Sequence, residues 1–79
     1  MWAVQLEGSH DFLERLEANL QMPDLRCFSV GNRFYLMSKT FQNHKSSELV
    51  YNEAKKVISV IAGIAAINLN LWPSSVLQI

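Results

Sequence analysis

Seventy-nine residues allow one domain at most, near the lower limit of what folds on its own core. Nearly half the residues are apolar, and 3 glycines with 2 prolines exclude a collagen-like or low-complexity disordered chain. Seven bases balance seven acids, which disfavours nucleic-acid binding by bulk charge, and a single cysteine, Cys27, excludes an internal disulfide or a multi-thiolate metal site.

The opening residues, MWAVQLEGSHDF, show no basic segment followed by an apolar one. No secretory signal is predicted, and a reducing, cytoplasmic setting is the expectation. Within this stretch WAVQLEG alternates, with Trp2, Val4 and Leu6 on one side and Ala3, Gln5 and Glu7 on the other, the pattern of a half-buried strand. SHDFLERLEANL then reads as a helix, with Phe12, Leu13, Leu16 and Leu20 on one face. Ser9 or Asp11 is placed to cap it, and Asp11 with Glu14 has capping-box spacing. Pro23 limits its continuation.

LRCFSVGNRFYLMSK carries two strand-like runs around Gly31-Asn32, and glycine first in a two-residue loop suits a type II′ hairpin. Counting outwards pairs Val30 with Arg33, Phe28 with Tyr35 and Arg26 with Met37 on one face. Leu25, Cys27, Ser29, Phe34, Leu36 and Ser38 share the other. TFQNHKSS reads as a polar loop, with Ser46 or Ser47 capping a second helix from about Glu48 to near Asn68. In its first half Val50, Ala54, Val57, Ile58 and Ile61 form an apolar stripe opposite Asn52, Glu53, Lys55, Lys56 and Ser59. Beyond Ser59 the polar face vanishes, leaving Val60, Gly63 and Ile67 where water would normally be. Pro73 bars further helix, and SSVLQI is predicted to be a last strand.

The order β-α-β-β-α-β predicts an α+β fold of the ferredoxin-like, split βαβ type, with two helices on one face of a four-stranded antiparallel sheet. The uncharged run after Lys56 is too short and too rich in asparagine for a membrane span. It is expected to be a core helix whose back, at Val60, Gly63 and Ile67, meets another surface. The apolar ending VLQI adds the expectation that residues 1–79 are the N-terminal part of a longer protein or one subunit of an oligomer.

Charge is segregated along the chain. Met1 to Asp24 holds five acids against Arg15, net −4, and Leu25 to Lys56 holds six bases against Glu48 and Glu53, net +4. Candidate chemistry is sparse. Cys27 faces Leu36 by the predicted register and serves as core filler. His10 and His44 lack metal-ligand spacing, and Glu14 with Glu17 is ordinary helix solvation. The EGSHD turn offers helix amides to an anion but carries one glycine and no phosphate-binding motif. No catalytic, metal or cofactor site is therefore assigned, and no cofactor is expected.

The strongest constellation is the sheet face opposite the helices, bearing Phe28, Val30, Tyr35 and Met37 with Arg26, Arg33 and Lys39 around it. In fold and general chemistry it resembles the base-stacking face of RNA-recognition motifs. The third strand, NRFYLMSK, lacks that family's glycine-spaced aromatics, and no family is identified. The expected function is non-catalytic: an interaction module packing through this face and the helix back against a second domain or an identical subunit. Single-stranded nucleic-acid binding by the same face is the alternative. Third is a part of an enzyme whose catalytic groups lie elsewhere.

Overall fold

The computed structural model describes residues 1–20, 22–63 and 70–79. Four strands, β1 (Trp2–Glu7), β2 (Leu25–Val30), β3 (Arg33–Ser38) and β4 (Trp72–Gln78), form one sheet in the order β2-β3-β1-β4. Every neighbouring pair is antiparallel. Helices α1 (His10–Asn19), α2 (Lys39–Gln42) and α3 (Ser47–Ala62) complete the α+β architecture. The connection carrying α1 passes from β1 over β3 to β2, and that carrying α2 and α3 passes from β3 over β1 to β4.

The hairpin has the predicted register: Val30 faces Arg33, Phe28 faces Tyr35 and Arg26 faces Met37. Gly31 has φ 63° and Asn32 is not in the positive-φ region, as a type II′ turn requires. One sheet face supplies Val4, Leu6, Leu25, Phe34 and Leu36 to the core. Leu13 and Leu16 of α1, Phe41 of α2, and Val50, Ala54 and Ile58 of α3 close over them. The alternation of apolar and polar residues in β1 and the helical spacing in α1 and α3 thus converge on one layer.

Four features depart from expectation. The TFQNHKSS stretch is not wholly loop, because Lys39–Gln42 forms a turn of helix and the helices number three among the described residues, not two. Ser38 caps it by accepting a bond from Thr40 N, and Phe41 points inward, fully buried. One residue on, the Gln42 amide grips the start of β1, accepting from Trp2 N at 2.7 Å and donating to Trp2 O at 2.8 Å. The Trp2 indole adds a bond to His44 O. A polar stretch reads as loop, yet here it places one aromatic ring and one side-chain amide where the sheet's end needs them.

The second departure is the end of the long helix. Ser46 caps α3 at Leu49 N as expected, but the helix stops at Ala62 and not near Asn68. Gly63 takes φ 55° and ψ −135°, a backbone state that only glycine enters cheaply, and its N–H closes on Ser59 O. Ile67 lies outside the described residues. The third departure is β4, which begins at Trp72, earlier than predicted. Pro73 is inside the strand and fully buried, tolerated because β4 is an edge and needs no amide from it. A register shift between Gln5 and Leu6 accompanies it.

At the start of α1, Ser9 occupies the N-cap position, but its side chain makes no capping bond. Neither of the expected caps forms. His10 instead reaches Glu14 at 2.9 Å along the exposed helix surface and meets the Phe34 ring edge-on.

Candidate interaction surface

The period-two alternation of β2 and β3 places Arg26, Phe28, Val30, Arg33, Tyr35 and Met37 together on the sheet face away from the helices. Phe28 and Tyr35 are directly opposed across the hairpin, and their rings stack at 5.6 Å between centroids with 28° between planes. Phe28, Tyr35 and Met37 are half-buried. Val30 stands clear at 62% exposure, and Arg26 and Arg33 are exposed beside it. Neither guanidinium takes part in a salt bridge among the described residues. Lys39, by contrast, turns to Asp24 at 3.6 Å and is partly neutralised there. Toward β4 the same face carries Leu77 opposite Ala3, which is small enough to be buried beneath its neighbours.

The second expected contact region is altered by the end of α3. Val60 is 76% exposed, as predicted, but Gly63 terminates the helix and is not a packing position along its back. Val60 instead rims an apolar groove of about 330 Å³ lined by Met22, Pro23, Val57 and Ile61. Met22 is also an exposed large hydrophobe. Sequence reasoning missed this groove, since Met22 beside Pro23 gives no periodic signal and becomes significant only where that loop meets α3.

Elsewhere among the described residues the groups that could carry chemistry lie apart. Among the described residues no three of His, Cys, Asp and Glu gather as metal ligands. His44 approaches Glu53 at 4.0 Å, and His10 is separate from it, bound to Glu14. No helix among the described residues is long and apolar enough to cross a membrane. Cys27 pairs with Leu36 on the core side, half-buried, and its thiol is pushed up to about 11 by burial and then by the nearby Glu17 carboxylate. A thiol held protonated is a poor nucleophile.

Two results follow for Cys27. Alkylation at pH 8 will be slow in the folded protein and will accelerate sharply in denaturant, whereas equal rates would show an accessible thiolate. Stability will also fall as pH rises between about 9 and 11, because there the unfolded chain releases the thiol proton while the folded chain retains it. Urea unfolding of Cys27→Ala across the same range, with a flatter profile than the parent, isolates this contribution.

Compared with known protein families, with curated proteins and with solved structures, the chain matches none.

Proposed function

We propose that this chain is a non-catalytic interaction module of the ferredoxin-like, split βαβ type, with the short helix α2 inserted ahead of α3. Its open sheet face takes an apolar surface of another domain or subunit. The observation that carries this reading is the stacked Phe28–Tyr35 pair beside exposed Val30, with Arg26 and Arg33, in no salt bridge among the described residues, at the margin. Burial of such a face contributes roughly 25 cal/mol per Å² of apolar area. Arginines at the rim orient a partner whose own rim is acidic. Val60 and the groove beside Met22 and Ile61 offer a second contact on the helix side.

Single-stranded nucleic-acid binding by the same face is the competing reading. It is weakened by the mutual stacking of Phe28 on Tyr35, which occupies ring surface that a base would need. Salt separates the two: association through an apolar face persists at high salt, while phosphate binding falls steeply. Light scattering on a sizing column at low and high salt, with and without an oligonucleotide, is the direct comparison. Tyr35→Ala is expected to weaken assembly at least tenfold. Assembly unchanged by that substitution removes the sheet face from the interface.

A further inference from the structure

The two edges of the sheet are built differently. β4 carries Pro73, which has no amide to offer, and a register shift against β1. Both are devices that discourage a further strand. β2 has neither. Its six residues pair with β3 in unbroken register, and it contains no proline.

The register also fixes which backbone groups point outward. Val30 and Arg33 flank a two-residue turn and exchange both bonds, so Val30, Phe28 and Arg26 bond inward to β3. The backbone N–H and C=O of Cys27 and Ser29 therefore face away from the sheet. Among the described residues neither makes any other backbone bond, whereas Leu25 N is taken by Met22 O.

We infer that β2 pairs antiparallel with β2 of a second copy about a two-fold axis at Phe28, joining two sheets into one of eight strands. Symmetric registers centred at or before Cys27 set Leu25 into the ladder, and its N–H is already bonded. One centred on Ser29 sets Cys27 against Gly31 of the second copy's turn. The register centred on Phe28 sets Cys27 against Ser29 of the second copy and Ser29 against its Cys27, so that the outward groups of both residues are paired. It also places Phe28 opposite Phe28 of the second copy in a close, non-bonded pair, where side chains approach most nearly. The stacked pair in each copy then becomes one row of four rings. Arg26 lies opposite Val30 of the second copy, so its stem covers that exposed side chain and the two Arg26 guanidiniums are kept apart. The pairing rests on the strand's backbone groups and not on the face reading, although it covers Val30 at the face's margin; Tyr35, Met37 and Arg33 stay on the open side of the joined sheet.

Amide hydrogen exchange of the full chain at rising concentration, to about 1 mM, tests it, since a contact below the standard ~800 Å² per partner binds weakly. Cys27 and Ser29 amides are expected to become protected in step with dimer mass. Val30 is exposed and tolerates charge, and in this register it faces Arg26 of the second copy twice per dimer. Val30→Glu should tighten the dimer and Val30→Lys should loosen it, with dissociation constants differing on the order of tenfold between them. A chain monomeric at 1 mM overturns the inference, as does a dimer in which Cys27 and Ser29 amides exchange freely. Equal dissociation constants for the two variants overturn the register. An edge that fails with a Tyr35-dependent assembly intact leaves the face reading standing, and the reverse result separates them equally well.

Discussion

Phe41→Ala is expected to cost about 3–5 kcal/mol of folding stability, enough to leave a domain of this size largely unfolded. The ring is fully buried within the layer formed by Val4, Leu36, Val50 and Ala54, and it belongs to a four-residue helix with little intrinsic stability. Removing it takes away the only buried apolar group of α2 and loosens the neighbouring Gln42 clamp on Trp2. Leu49→Ala, at an exposed position of α3, should shift stability by no more than about 0.5 kcal/mol and serves as the comparison. Urea unfolding followed by tryptophan fluorescence reads both. A loss below about 1 kcal/mol for Phe41→Ala would show that α2 does not fill the core.

Gly63→Ala is the second large effect, at about 1–3 kcal/mol of destabilisation. A Cβ at this position meets nothing within 4 Å, so the penalty is one of backbone conformation and not of collision. Because φ is +55°, a D-alanine introduced by chemical synthesis is the matching control. It suits the sign of φ and restricts the unfolded chain, so it should equal or exceed glycine in stability. L-alanine that proves neutral or stabilising would mean that the helix runs on past residue 63, as the apolar run from Val57 suggests by periodicity alone.

The parts of the fold legible in the sequence are those where local chemistry and burial agree. Gly31-Asn32 between alternating runs set the hairpin and its register, because the turn admits one pairing and a slip would turn Phe34 and Leu36 outward. Phe28 and Tyr35 fell on one face for the same reason, although their stacking, which covers part of each ring, depends on rotamers that no residue pattern specifies. The end of α3 was hidden because an apolar stretch looks the same to a periodicity argument on either side of a glycine. By helical spacing Gly63 falls on the back of the helix with Val60, but its use is a positive φ. Phe41 was hidden by its polar neighbours, and Pro73 was read as a boundary when an edge strand accommodates it. In each case the missing information was tertiary: which edge is free, or which gap in the core needs a ring.

The strand order also bears on how the chain acquires its structure in time. β1 lies between β3 and β4, and its ladder with β4 runs from Trp2 opposite Gln78 to Glu7 opposite Trp72. The hairpin closes within a few residues, whereas this second ladder closes nearly the whole 79-residue sequence and bears the larger loop-closure entropy. During synthesis, Val4 and Leu6 emerge before their partner strands and gain them only after β3, and then β4, have followed. The most buried strand of the sheet is thus the one that waits longest for cover, and its apolar side chains are the surface a nascent chain must shield.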